Sequence, residues 1–218
     1  MTAITVPSVA TIIRALDAAQ AETRLDELAD ILVDAVAHGA SVNFMAGFPQ
    51  PQAREFWRGQ LPGLADGTKC LLVAEAGARL LGTVVLSFAH QPNAPHRAEI
   101  GKMLVHSAAR RQGLGRRLLT AAEQAACAAG RTLLLLDTET GSAGDRLYRS
   151  CGWTEIGRVP NHAFKPDGSL AETTIFCKEL GAHRFSDRTP GLPHRAAAAA
   201  ESAAAPGRTT PPSPAGCR

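Results

Sequence analysis

Between residues 97 and 139 the chain runs through a strand-like segment, RAEIGKMLVH, then ARRQGLGRR, then a helical stripe, then RTLLLLDTE. That succession constrains the fold more than any other feature. Leu114, Leu118, Leu119, Ala122, Ala125 and Ala126 recur at the i, i+3, i+4 spacing of one helix face, and the pattern stops at Gly130. A helix set between two apolar strands reads as a crossover within one sheet. RTLLLLDTE (131–139) is continuous rather than alternating, which predicts a strand covered on both faces.

The flanking segments enlarge this unit. ATIIRAL (10–16) suits a first strand, and Leu25, Leu28, Ala29, Leu32, Val33 and Val36 form one helix face ending at His38 and Gly39. Residues 51–64 predict a weaker helix around Phe56 and Trp57, broken by Pro62 and Gly63. KCLLVAEA (69–76), RLLGTVVLSFA (79–89) and RAEIGKMLVH (97–106) are separated by Gly77 and by HQPNAPH, as in an antiparallel meander. A short helix is expected over 142–150, with Ser142 and Asp145 as a capping pair and Gly152 beyond its end. TEIGRVP and AETTIFCKEL supply two last strands. The fold class is α/β, a mixed sheet that is largely antiparallel and carries one strand-helix-strand crossover.

At 218 residues and 45% hydrophobic composition, the chain can bury one sizeable core. Residues 182–218 differ: five arginines stand there against two carboxylates, which accounts for the whole formal charge of +3. The same stretch holds six of the 14 prolines and the run AAAAAESAAAP. With so few bulky apolar residues it is expected to be a disordered Ala/Pro/Arg-rich tail after a folded domain of residues 1–181. The body is therefore formally neutral, and with 5% aromatics it lacks the basic, aromatic face of a nucleic-acid binder. No run of about 18 apolar residues is present, and the start lacks a signal-peptide pattern, so a cytoplasmic location without membrane contact is expected. The scattered cysteines, with no CxxC pair and no His at metal spacing, read as reduced thiols, and no metal is expected.

The arginine-glycine segment lies at the turn into the crossover helix. A helix start presents unpaired N–H groups and the positive end of the macrodipole, and glycine lets an anion approach the backbone. Arg110, Arg111, Arg116 and Arg117 could add charged donors. The alternative is a plain turn with solvated arginines. Two phosphate loops are excluded, because Gly115 is followed by Arg116 rather than Lys, and Leu118 stands where a dinucleotide fingerprint needs Gly or Ala.

Arg110-x-x-Gly113-x-Gly115 resembles the Q/R-x-x-G-x-G/A signature of the GNAT superfamily of N-acetyltransferases. Met103 and Val105 sit where that family has apolar residues before the loop, and Tyr148-x-x-x-Gly152-Trp153 resembles its later Y-x-x-x-G-F element. Ser107 departs from the family, which often has proline there. HGASVNFM, QPNAPHRAEI, LDTETGSAGDRLY and KPDGSLAETTIFCKEL are similar to the tabtoxin resistance acetyltransferases. The resemblance implies a GNAT-type sheet flanked by helices and acetyl-CoA as cosubstrate. Its pyrophosphate would take backbone amides among Arg110, Arg111, Gln112, Gly113, Leu114, Gly115 and Arg116, and its pantetheine arm would lie along Met103, Leu104 and Val105.

Acetyl transfer to an amine needs a base and an acid. Glu99 lies on the strand before the loop, and Asp137 ends the LLLL run on the expected neighbouring strand; together they could hold a water that relays the amine proton. In the tabtoxin family the matching carboxylates have been proposed to do this. The structural alternatives are a cross-strand pairing of Glu99 with Arg97 or Lys102, and a turn role for Asp137 near Thr138. The family commonly uses a tyrosine at Tyr148 to protonate the leaving thiolate; otherwise Tyr148 is a core aromatic. The acceptor is expected to be a small-molecule amine, such as an amino-acid-like toxin of the tabtoxinine-β-lactam kind. An aminoglycoside, a protein amine, and a non-catalytic acyl-CoA sensor remain open at this point, as do monomer and homodimer.

Overall fold

The computed structural model describes residues 10–181. The expected tail lies outside the described residues. The elements in chain order are β1 (Ile12–Leu16), α1 (Ala18–Thr23), α2 (Leu25–Ala37), α3 (Gln50–Arg58), α4 (Leu61–Ala65), β2 (Lys69–Ala76), β3 (Arg79–Phe88), β4 (Arg97–Val105), α5 (Leu114–Ala128), β5 (Leu133–Glu139), α6 (Ala143–Ser150), β6 (Thr154–Phe164) and β7 (Leu170–Glu179). They build a seven-stranded sheet in the order β1-β2-β3-β4-β5-β7-β6. Every neighbouring pair is antiparallel except β4 and β5, the pair joined by the α5 crossover.

Side-chain alternation divides the core into two layers. Leu72, Ala74, Val84, Leu86, Ala98, Ile100, Leu134 and Leu136 point to one face, where Leu118, Leu119, Ala122 and Ala126 of α5 cover them. Leu71, Val73, Val85 and Leu104 point to the other, under Leu25, Leu28, Leu32 and Trp57 of α2 and α3. Covered on both faces, β2 is apolar at nearly every position. Gly82 lets β4 and α5 close on β3, since a Cβ there would stand 2.7 Å from Leu104 O and 2.9 Å from Leu118 Cδ1.

Several expectations change in detail. α1 has little apolar signal and forms through a capping box, in which Asp17 accepts from the Gln20 amide at 2.8 Å and Gln20 accepts from the Asp17 amide at 3.2 Å. The helix expected over 51–64 is two helices divided at Gly59 and Gln60. β6 continues past Pro160 through a register shift between Val159 and Ala163, which an edge strand tolerates. The most consequential change concerns β5. Leu134 and Leu136 are buried, whereas Leu133 and Leu135 are half-buried and Asp137 is exposed. One face of this strand is not covered.

Candidate active site

The uncovered face of β5 adjoins a break in the sheet. β4 and β5 pair only at Arg97–Leu133, Ala98–Leu134 and Glu99–Leu135. Beyond Glu99 and Leu135 the ladder ends, and the edge of β4 from Ile100 to Val105 faces a gap. β3 remains paired to β4 as far as Val105, but one step is lost, because Val85 opposes Gly101 while Thr83 opposes Leu104. The extra β4 residue makes a bulge at Lys102, whose φ is 46° and whose carbonyl accepts from Thr83 Oγ1 at 2.9 Å. A bulge bends its strand and re-aims a side chain. Here it turns Lys102 towards α3 and opens the gap.

Glu99 and Asp137 both border this gap, Glu99 opposite Leu135 and Asp137 two residues further along β5. Ile100, Leu134 and Leu136 belong to the α5 layer, so the alternate positions 99 and 137 share the opposite, open face. Both side chains are exposed, and neither forms an ion pair among the described residues. Asp137 stands within β5, opposite Ile175 of β7, rather than in a turn. Tyr148 approaches from α6 with its ring 5.9 Å from that of Trp153 and 6.0 Å from that of Phe176. It is 6% exposed. Burial, the nearby Asp137 charge and Cys151 push its phenol well above the ordinary tyrosine range. The hydroxyl therefore holds its proton at neutral pH and is a donor. Ser142 accepts from the Asp145 amide at 3.1 Å and Asp145 Oδ2 accepts from the Gly141 amide at 2.9 Å, which fixes the start of α6 as the capping pair predicted.

The loop into α5 has the chemistry of an anion cradle. Gly113 is the N-cap, at φ 77° and ψ 0°, and Arg111 is also left-handed at 65°. A left-handed residue followed by a right-handed one turns consecutive N–H groups towards one point. Among the described residues the amides of residues 111–116 have no protein acceptor; the first helical bond runs from Arg117 N to Gly113 O at 3.2 Å. The first turn contains no acidic residue to complement the dipole. Without an anion, this helix start is electrostatically incomplete.

The side chains contribute less than the sequence suggests. Arg110 turns back, donating through Nε to Val105 O at 3.0 Å. Arg116 donates to Ser150 Oγ at 3.0 Å and Arg117 to Thr11 O at 2.6 Å. Of the four arginines only Arg111 has no partner among the described residues, while Arg110, Arg116 and Arg117 each keep N–H groups beyond those so bonded. Met103 and Val105 pack towards the α5 layer and Leu104 is buried in the α2 layer, leaving their backbone at the open edge of β4.

Two features lie beyond the sequence patterns. Asp34 of α2 accepts from the Ser107 amide at 2.7 Å and from its hydroxyl at 2.6 Å, with Arg110 Nη2 at 3.8 Å. Burial raises the Asp34 pKa, yet the two Ser107 bonds, with His106 and His38 close by, hold it below the ordinary carboxylate range. Where the resembling family has proline, this chain uses a tether to α2. The second feature is Lys102, whose Nζ lies 5.2 Å from the centroid of the Phe56 ring. Burial depresses its pKa, with the Lys69 charge in the same direction and Asp137 opposing. Phe56 also borders a groove of about 730 Å³ between α3 and residues 43–49. The Ala46 amide ties that loop to Pro166 O in the β6–β7 turn at 3.0 Å.

The described residues contain no group of three or more His, Cys, Asp or Glu able to hold a metal ion, and no helix long and apolar enough to cross a membrane. Cys70, Cys127, Cys151 and Cys177 are free and half-buried.

Comparison with known proteins agrees with this geometry. The acetyltransferase (GNAT) family model matches residues 33–153, which include the end of α2, the bulged β4, the glycine loop, α5 and Tyr148. Among solved structures, yncA of Salmonella typhimurium with its cofactor acetyl-CoA superposes with a TM-score of 0.65 at 21% identity, covering 83% of this chain and 99% of that one. The ribosomal-protein-alanine N-acetyltransferase of Brucella melitensis gives 0.64 at 24% identity, covering 78% of this chain and 99% of that one. A GCN5-related N-acetyltransferase of Kribbella flavida gives 0.65 at 20%, over 78% and 98% of the two chains. At these identities the likeness is one of fold, and it is the family match over more than half of the chain that assigns it: the protein belongs to the GNAT family and is an acetyl-CoA-dependent N-acetyltransferase.

Proposed function

We propose that the protein acetylates the amino group of a small amino-acid-like molecule, a toxin or antimetabolite of the tabtoxinine-β-lactam kind, in the cytoplasm. The observation that carries this reading is the placement of Glu99 and Asp137 on one open sheet face at the end of the β4–β5 ladder. Those carboxylates bind the incoming ammonium and, through a water between them, take its proton so that the nitrogen lone pair is free. Acetyl-CoA, when bound, supplies the acetyl group as a thioester. The amides of residues 111–116 hold its pyrophosphate and the exposed edge of β4 at Met103, Leu104 and Val105 orients its arm. An amide near Leu104 or Val105 donates to the thioester oxygen as negative charge grows there.

Tyr148 acts at the opposite end of the proton path. Its raised pKa makes complete transfer to a thiolate uphill, so its main contribution is a hydrogen bond to the departing sulfur. A bond of that kind to a charged group is worth about 1.5–3 kcal/mol. The experiment is an amine panel with acetyl-CoA, scored by release of free CoA thiol and including tabtoxinine-β-lactam, aminoglycosides and peptide N-termini. Release with an amino-acid-like amine supports the proposal. Preference for an aminoglycoside or a peptide moves the substrate class. Acetyl-CoA binding with no release by any of these amines overturns the proposed acceptor and places it outside the panel.

A further inference from the structure

Lys102 is a charged group that the reaction as described leaves without a task. Its neighbour on the same face, Lys69, is satisfied, donating to Gln60 Oε1 at 2.5 Å. Lys102 has no ion pair or hydrogen bond through Nζ among the described residues; its Nζ stands over the Phe56 ring, with Asp137 near enough to act on its charge without bonding to it. The side chain is half-buried. A cation–π contact offsets only part of the cost of withdrawing an ammonium from water. The backbone also holds it there against resistance, since a residue with a Cβ rests at φ 46° while the fully buried Thr83 fixes its carbonyl. For packing on Phe56 alone, an uncharged chain would serve better.

We propose that Lys102 anchors an anionic group of the acceptor, the carboxylate of an amino-acid-like amine whose amino group faces Glu99 and Asp137. This rests on the reading of the open face as the acceptor site. The face then presents two carboxylates and, with Lys69 engaged by Gln60, one unbonded ammonium, and an α-amino acid presents the complementary pair on a single carbon. Coulomb attraction at this half-buried position exceeds its value in water. The same arrangement disfavours the other acceptors. An aminoglycoside is a polycation that brings no anion for Lys102, and a peptide N-terminus has an amide where the amino acid has its carboxylate. Discrimination thus comes from an unpaired charge set against the wrong substrate as well as a pairing with the right one.

The test compares free L-amino acids, including tabtoxinine-β-lactam, each with its own carboxamide, on the full-length protein and on Lys102→Met and Lys102→Arg. Methionine retains the apolar stem over Phe56. The wild type is expected to favour the acid over its carboxamide by about 10- to 100-fold in kcat/KM, the range of a charge-assisted pairing. In Lys102→Met that ratio falls towards one, chiefly through KM of the acid, and Lys102→Arg restores part of it. A ratio near one in the wild type, or an unchanged ratio in Lys102→Met, overturns the anchor even if turnover with amines is brisk. Should none of these amines be acetylated, the proposed acceptor class falls, and calorimetric binding of the same acid and carboxamide in the presence of CoA decides the anchor. Acid binding lost in Lys102→Met supports it; equal binding of both probes, or of both proteins, overturns it.

Discussion

If the glycine loop is an anion cradle, Gly113→Ala separates that function from the fold. Gly113 sits at φ 77° and a Cβ built on it meets nothing within 4 Å, so the substitution causes no clash and its cost is that of a left-handed backbone. That cost is about 1–2 kcal/mol. In a domain of this size it lowers Tm by roughly 2–8 °C. Relaxing towards a right-handed conformation turns the amides of residues 111–116 apart. Losing one hydrogen bond to a charged phosphate weakens acetyl-CoA binding by about 10- to 100-fold. Gly115→Ala is the control: Gly115 is not left-handed, and its Cβ would meet only the Leu147 Cδ2 methyl at 3.1 Å. Alanine within a helix is favoured over glycine by about 0.5–1 kcal/mol, so its Tm should hold or rise slightly. Its acetyl-CoA affinity should stay within about threefold, less than the loss of a single hydrogen bond. Calorimetry with acetyl-CoA and thermal melts on both variants read this directly. A Gly113→Ala protein that melts lower yet binds acetyl-CoA as tightly as the wild type would refute the reasoning, leaving the loop a mere turn.

Three further outcomes are expected. Glu99→Gln or Asp137→Asn lowers turnover by roughly 10²- to 10⁴-fold, with partial recovery at high pH where the amine is already neutral, whereas Tyr148→Phe loses about 10- to 100-fold at every pH. pH-rate profiles with one fixed acceptor check this, and full activity in both carboxylate variants removes the base. Asp34→Ala frees Ser107 and is expected to raise KM for acetyl-CoA about tenfold, the worth of roughly one hydrogen bond, with a smaller change in kcat; an equal KM with reduced kcat would break the link to the loop. Acid should weaken the fold through Glu75. This carboxylate accepts from Arg14 and then Arg24, which bring its pKa from 4.5 to about 2. Because the folded value is the lower one, its contribution is complete above pH 4.5 and is lost as pH falls through about 2. Thermal melts across that window should show a shallower decline for Glu75→Gln.

The local elements were legible because local physics decides them. The period-2 and period-3.6 runs placed β2, β3, β4 and α5 closely, and Gly113 marked a helix start needing positive φ. α1 escaped detection because two side chains capping each other leave no apolar periodicity. β5 was misjudged for an instructive reason: LLLL has the composition of a strand covered twice, yet no helix lies over Leu133 and Leu135. How many layers cover a strand is settled by elements distant in the chain.

The same division runs through the site. Sequence alone singled out the residues proposed to carry the chemistry, Glu99, Asp137, Tyr148 and the amides after Arg110, because motif spacing along one strand, loop and helix is a local property that a family resemblance can be read from. Only the tertiary structure decided that the β4–β5 ladder ends at Glu99 and that β7 lies between β5 and β6. It also decided that Lys102 leaves its strand at a bulge and that Arg110, Arg116 and Arg117 are taken by protein acceptors. Asp34 meets Ser107 across 73 residues of chain. Each of these depends on which surfaces meet once the sheet has twisted and packed, a balance of long-range contacts that no short window of sequence contains.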